Sequence, residues 1–502
     1  MKELIVIWAL WVAVLLGLKY LLDRASGQLI GLRELALAIL LPLVAVLSPN
    51  YFVFAGIALI LLFAAGGDNE HRARLYFFAL WLLPPVGFEI WAPAPINKLI
   101  IVRYSMLVGI AALPAVIRLR RNQRWKAASA DLLVLLFCSM LWFIAARGTS
   151  FTNMLREALQ VAFIGGLPYY IASRSTGFAR DPANLVQSLI YCACALSAVA
   201  VFEVTRRWLI YERMDAGLQN LFTMNAYAGG RGGFIRPNAT FDGPTALSLF
   251  LSLALVMLYA MRRRFTRASG AWAIGVLLSA GVLMTFSRIG LLTVFVGAMA
   301  TLAFNRKFVL AAAAGLGIPL AYEVLALLAS DSRVISAAFG FGEAAAGTVQ
   351  YRQTLARRMI ELIAQHPLTG IRREQVPIEM SDQVQGQGIV DIVNAPLSAG
   401  LHAGIPGLMI FLLPSLVALA GLWRLRSDKD HERRDFAGLC FSALLACNAA
   451  LFTTNMQGRN GLILFLLLGL SFGTLHRFRV ARVAERAQAV RPDGRIVSAP
   501  VC

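Results

Sequence analysis

Apolar runs recur along the chain from one end to the other, separated by short polar segments. They fall at about 4–22, 34–48, 52–66, 75–91, 98–119, 131–146, 154–173 and 184–204, then at about 244–261, 271–287, 289–304, 308–328, 400–423, 437–455 and 461–478. Several lie near the lower length for crossing a bilayer, and the 34–66 pair, broken at Ser48-Pro49-Asn50, reads as a hairpin dipping unevenly into it. No run carries the small-residue cleavage site of a signal peptide, so the first is expected to be a span or an anchor. The pattern predicts an all-α fold: a polytopic transmembrane helical bundle of about 12–15 spans occupying residues 1–478. Two segments are too long to be simple connections, 205–243 and 329–399, and a basic tail follows at 479–502. Inside the second long segment, Tyr351, Leu355, Met359, Leu362 and Ile363 share one face of a helix from Tyr351 to Gln365, ended by His366-Pro367. The tail, rich in basic residues with Pro and Gly, is expected to be disordered and to touch anionic lipid.

Composition supports the membrane reading. Of 502 residues 58% are hydrophobic and 15% charged, with a mean hydropathy of +0.67. A water-soluble chain of this size needs a larger charged shell. The net charge of +20 does not indicate nucleic acid, because the basic residues gather in short connections between apolar runs. These are Arg118 to Lys126, Arg262 to Arg267, Arg306-Lys307, Arg424 to Arg434 and the tail from His476. Counted through the predicted spans, all fall on one side, which the positive-inside rule makes cytoplasmic. The two long segments then face outward from the membrane. Cys138, Cys192, Cys194, Cys440 and Cys447 lie within apolar runs and read as core thiols.

Three outward arginines depart from ordinary membrane-protein texture. Arg236 lies in the turn-rich stretch Gly232 to Pro244, Arg288 in Phe286-Ser287-Arg288-Ile289-Gly290 between two runs, and Arg352 in the loop helix. One arginine at such a place snorkels to headgroups or ties helices together. Three of them on the face that disfavours positive charge point instead to an anionic ligand, and guanidinium suits a diphosphate through paired hydrogen bonds.

The same segments carry a family resemblance. Arg236 to Pro244, the Ser287-Arg288-Ile289-Gly290 element, Arg352 to His366-Pro367-Leu368-Thr369-Gly370, and Asn394-Ala395-Pro396-Leu397 followed by Gly404-Ile405-Pro406-Gly407 resemble, in order, motifs of the O-antigen ligase and polysaccharide polymerase superfamily. The resemblance covers roughly residues 230–425. It implies inverting transfer of glycan from undecaprenyl diphosphate without nucleotide, metal or other cofactor. Arg236, Arg288 and Arg352 would hold the diphosphate, and a base would act on the acceptor sugar. The two outward segments hold no Asp-x-Asp pair, and the chain has no His/Cys ligand set or Gly-rich phosphate loop. Where the family has a histidine before Asn394, this chain has Val393, which cannot take a proton. Asp391, His402 and Glu374 are the candidate substitutes, although Asp391 also suits a helix cap and His402 a packed interhelical position. Trp208, Tyr211, Phe222 and Tyr227 are placed to stack on sugars or to form an interfacial belt.

The expected partners are a lipid-diphosphate-linked oligosaccharide, an acceptor glycan, membrane lipids, a chain-length regulator and a flippase, with no nucleic acid. The leading reading is a polymerase of lipid-linked repeat units. A ligase would use the same residues, whereas a flippase should line its cavity with charge from many spans. Ionisable residues inside the predicted spans are few, with Glu203 and Glu323 as exceptions, and charge gathers in the outward segments, which favours an enzyme.

Overall fold

The computed structural model describes residues 2–22, 31–91, 98–120, 125, 127–212, 233–262, 268–315, 317, 327, 343–384 and 389–489. The first half contains α1 (Lys2–Leu22), α2 (Leu32–Leu47), α3 (Tyr51–Ala64), α4 (Asn69–Ala79), β1 (Gly87–Trp91), β2 (Lys98–Arg103), α5 (Tyr104–Arg120), α6 (Ala128–Ala146), α7 (Phe151–Val161), α8 (Leu167–Phe178) and α9 (Ala183–Arg206). The second half contains α10 (Pro244–Met261), α11 (Ala268–Met284), α12 (Arg288–Phe304), α13 (Glu343–Gln365), α14 (Ala395–Arg424), α15 (His431–Leu451) and α16 (Arg459–Ala489). The fold is an all-α membrane bundle. Among the described residues, seven helices are long and apolar enough to cross a membrane, and four shorter ones are apolar.

Burial separates an inner bundle from a rim. The spanning stretches of α9, α10, α15 and α16 are 83%, 78%, 72% and 89% buried, whereas those of α1, α6 and α14 are 28%, 39% and 33% buried. The first four therefore form the protein core, and the others turn one side to lipid. In α16, Gly469 and Gly473 let the backbone meet α8 at Tyr169, Ser173 and Thr176, so this small-residue pair packs helices within one chain.

Several apolar runs fold differently from uninterrupted spans. Pro84-Pro85 follows α4, and the chain then forms an antiparallel hairpin in which Gly87 pairs with Arg103 and Phe88 with Val102. Proline stops the helix, and the β-branched Ile90, Ile100, Ile101 and Val102 suit strands. The run at 154–173 opens as α7, which carries Arg156, Glu157 and Gln160 and buries none of its residues, and a π-helical turn at Ala162–Gly166 joins it to α8. Ser48-Pro49-Asn50 does divide α2 from α3, with the Asn50 side chain accepting from Val53 N at 3.0 Å. The tail is helical as far as Ala489 rather than disordered from 479. The remainder, most of the 308–328 run and Glu323 lie outside the described residues.

Helix directions give the bundle two distinct ends. The chain passes along α10 from Pro244 to Met261, along α12 from Arg288 to Phe304 and along α14 from Ala395 to Arg424, and it returns along α15 to Leu451. Arg262, Arg306, Lys307, Arg426 and Arg434 line one cavity at the far end of these helices. Among the described residues, Arg262, Arg306-Lys307 and the 424–434 cluster, which charge counting put on one side, share one end. With that end cytoplasmic, a cysteine replacing exposed Lys429 is expected to be shielded from a membrane-impermeant thiol reagent in intact cells. One replacing exposed Gln353 should react, and labelling at 429 without lysis would reverse the orientation.

Candidate functional site

The opposite end is organised by a break in α14. Ala403 (φ −135°, ψ 17°) and Gly404 (φ 67°, ψ −164°) leave helical geometry within the membrane-spanning segment. The helical bond from Ile405 N to Leu401 O is replaced by two others: Leu401 O accepts from Ile371 N at 2.7 Å, and Ile405 N donates to Pro367 O at 2.7 Å. The His366 to Gly370 turn thus substitutes for the missing helical turn. A Cβ at Gly404 would strike the Pro367 carbonyl, and one at Gly370 (φ 59°) would strike the backbone of Leu401 and His402. His402 Nδ1 lies 3.2 Å from Ile371 O, and Arg147 Nη1 donates to Thr369 O at 2.5 Å and to His402 O at 3.3 Å. Two stretches that sequence showed only as separate motifs are one joint.

That joint seats α13. Leu355, Met359 and Leu362 are buried with Ile371, Val376, Met380 and Leu401, and Val393 packs against the same cluster. The predicted apolar face therefore packs mainly against its own loop and α14. Val393 belongs to this apolar patch, which accounts for a valine there.

Arg236 and Arg288 meet at a second tight connection. Between α11 and α12 the chain turns through Phe286 in a left-handed conformation (φ 49°), its ring stacked on Phe234 with centroids 5.3 Å apart. Arg288 opens α12, and Arg236 Nε donates to Thr285 O at 3.3 Å. The stretch around Arg236 is fixed from below by Glu203, whose carboxylate accepts from Ile210 N (3.2 Å), Asn238 N (3.1 Å) and Ala239 N (3.0 Å). The acid that sequence marked as anomalous inside a span is a clamp on the Arg236 loop.

Arg352, from α13, joins this group. Its guanidinium is pushed below its ordinary value first by burial and then by the positive charge of Arg288, against the pull of Asp391. Tyr351 Oη donates to Asp391 O at 3.4 Å, which holds the 389–394 segment against α13. Burial raises the Asp391 carboxyl above its usual value, and Arg352 opposes that shift. Residues from three separate segments, Arg288, Arg352 and Asp391, therefore share one electrostatic field, with Arg236 docked on the turn that presents Arg288.

Asp391 also connects this group to a cavity of about 640 Å³ whose wall includes Arg103, Glu157, Gln160, Arg373, Asp391 and His402. Its apolar side is formed by residues such as Ile144, Phe411 and Phe465. The volume lies within the usual range for small-molecule sites, about 300–1,000 Å³. The carboxylates, amide and guanidinium groups there are of the kinds that bond sugar hydroxyls.

Some candidates have other duties. Asn394 caps α14, its Oδ1 accepting from Leu397 N at 3.0 Å, so Asn394 rather than Asp391 is the helix cap. Glu374 is exposed near Gly148 and does not line the cavity. Tyr211 is buried and accepts from Trp11 Nε1 at 2.9 Å, so it is a core residue rather than a sugar platform, and Trp208 packs on Phe202. Phe222 and Tyr227 lie outside the described residues.

Sequence reasoning missed Arg103, Glu157, Asp242 and Arg459. Arg103 is in the field of Asp242 and Glu157. Asp242 presses on Gly458 (φ 57°), a cavity-wall residue, where any Cβ would overlap the carboxylate. The Asp242 side reaches solvent although protein surrounds it on nearly every side; burial raises its carboxyl, while Arg459 opposes the shift. Arg459 is itself buried, donating to Leu83 O and to Thr240 Oγ1 (3.3 Å), with its guanidinium over the Phe241 ring at 4.7 Å. Arg174 and Glu34 are also buried and ion-paired, with Asp131 and Arg74 respectively, so buried charge is more frequent than sequence suggested. The available signal was charge at the ends of apolar runs, as in Gly458-Arg459-Asn460.

Residues 273–412 match the family model described as O-antigen ligase. This stretch belongs to the O-antigen ligase family. It lies inside the range over which the motifs were matched and contains Arg288, Arg352, Asp391, Asn394 and His402. Arg236 and the cavity wall from Arg103, Glu157 and Gly458 lie beyond it. No curated protein matches the chain. The matched region supports a glycan ligase or polymerase type, and together with the spanning helices it points to a multi-pass membrane protein.

The Glu203 clamp yields a direct expectation. Glu203→Ala leaves three backbone N–H groups without their acceptor, at about 1–3 kcal/mol for each buried donor left unsatisfied. Protein level and thermal stability should both fall. A well-expressed Glu203→Ala variant with unchanged melting temperature would show that the clamp does not hold the Arg236 loop.

Proposed function

We propose that this protein is a polymerase of the bacterial inner membrane, moving glycan repeat units from an undecaprenyl-diphosphate carrier to a growing glycan on the outer face. The observation that supports this reading most is the convergence of Arg288, Arg352 and Asp391 beside the cavity, with Arg236 against the Arg288 turn. Guanidinium groups there would grip the diphosphate and stabilise the charge that builds as the carrier leaves. The acceptor sugar would occupy the cavity between Glu157, Gln160 and His402. His402, whose Nδ1 faces Ile371 O and whose Nε2 is then the basic nitrogen, would be the second candidate for taking the proton.

Asp391 is the base this reading favours. It lies on the cavity wall next to Arg352, and its raised carboxyl makes it a stronger proton acceptor than an ordinary aspartate. In one step, the acceptor oxygen would bond to the anomeric carbon and lose its proton to Asp391. The bond from that carbon to the diphosphate would break on the opposite side, inverting the centre. A base must be ionised, so activity should fall as pH drops through a value above the usual carboxylate range. Asp391→Asn should remove activity at every pH while leaving donor binding in place. An acid limb unchanged in an active Asp391→Asn protein would remove this assignment.

A ligase remains the second reading because the matched family model is described as O-antigen ligase. Analysis of carrier-linked glycans in a deletion strain separates the readings. Loss of a polymerase should leave single repeat units on the carrier at the outer leaflet. Long chains held on the carrier would mean a ligase, and single units confined to the inner leaflet would mean a flippase.

A further inference from the structure

The other end of the bundle contains a cavity of about 560 Å³ that the glycan reaction does not use. Its wall carries six Lys or Arg side chains, Arg262, Arg306, Lys307, Arg426, Lys429 and Arg434, against two acids, Asp428 and Asp435. Both acids are already engaged, Asp428 with Arg482 at 3.9 Å and Asp435 with Arg434 at 4.0 Å. The cations come from three places far apart in sequence: after α10, after α12, and from the end of α14 through the first turn of α15. Charge bias alone predicts basic loops. It does not require them to curl around one hollow, where their mutual repulsion is greatest.

A second observation is the backbone of Arg306. It follows α12 in a left-handed conformation (φ 59°), and Lys307 N bonds back to Leu302 O at 2.9 Å. Glycine is the usual residue at such a helix end, because a Cβ is strained there. The arginine kept in its place sends Nη2 to Ser427 Oγ at 2.6 Å, tying the stretch after α12 to that after α14 across the hollow. A strained position occupied by a charged side chain points to use of that side chain.

The surroundings indicate how the anion is delivered. Tyr259, Leu302 and Phe304 contribute to the wall, and Phe308, Val309 and Leu310, directly after Lys307, are exposed apolar side chains. Cations at the helix ends beside exposed apolar surface match a phosphate at headgroup depth with acyl chains alongside. We propose that this cavity binds the phosphate group of an acidic membrane phospholipid, at the end of the bundle opposite the glycan site.

The test uses full-length protein in detergent, titrated with fluorescent phosphatidylglycerol or phosphatidylcholine, with inorganic phosphate as competitor. Phosphatidylglycerol should bind in preference to phosphatidylcholine. The Lys307→Gln/Lys429→Gln variant should bind it roughly 25-fold more weakly at low salt. Arg306→Gly should also weaken binding while keeping or raising thermal stability, which separates ligand loss from misfolding. Arg118→Gln/Arg180→Gln, which removes exposed charge outside the cavity, should bind as the parent does. Equal loss in that control would overturn the proposal in favour of a diffuse surface field. Equal binding of the two lipids would overturn it as well. Inorganic phosphate that binds at this cavity without being displaced by phosphatidylglycerol would overturn the lipid as its source.

Discussion

The outer-end architecture depends on one exchange of backbone hydrogen bonds. Within a bilayer, a polar backbone group without a partner is costly, so a spanning helix breaks only where other protein replaces the lost bond. In α14 the replacement is the 367–371 turn, which supplies an acceptor for Ile405 N and a donor for Leu401 O. The helix break and the turn are mutually dependent. Because α13 leads into the turn, this exchange also fixes where Arg352 stands relative to Asp391, and it sets His402 on the cavity wall. The glycines at 370 and 404 follow from the same constraint, since each has another segment's backbone where a side chain would be.

Charge is divided between two ends with different internal logic. At the outer end, the three candidate arginines are placed by specific devices: a left-handed Phe286 turn for Arg288, the Glu203 clamp for the Arg236 loop, and the buried face of α13 for Arg352. At the other end, basic residues are plentiful, and three separate stretches bring them around one hollow. The first arrangement suits recognition of a reacting diphosphate. The second suits retention of an acidic lipid. Topogenic charge and ligand-binding charge can therefore coincide in the same loops.

Much of the architecture was legible because hydrophobic runs report burial and basic loops report side. The α13 face, the α2–α3 break and the common end of the basic clusters all follow from local pattern. The convergence of Arg288 and Arg352 followed only from their shared side and motif resemblance; the fold brings each within the other's electrostatic reach. What pattern did not show was long-range. The 75–91 and 98–119 runs are apolar enough to read as spans, yet Pro84-Pro85 and β-branched residues turn part of them into a hairpin that brings Arg103 to the cavity. Glu157 sits in a run that averages to apolar although α7 is two-faced. Asp242 and Arg459 are 217 residues apart, and only tertiary packing puts them together. Tyr211 shows the reverse error, an aromatic in a loop that belongs to the core.

The central claim is that the arginine group binds a diphosphate rather than bracing helices. The most direct measurement is the affinity of purified protein for undecaprenyl diphosphate, compared among the parent, Arg288→Lys and Arg288→Ala, with melting temperature followed in parallel. The account predicts graded loss of binding from parent through Arg288→Lys to Arg288→Ala, since a point charge reproduces only part of a guanidinium's paired bonds, at nearly constant melting temperature. Unchanged affinity in Arg288→Ala together with a large fall in melting temperature would contradict it.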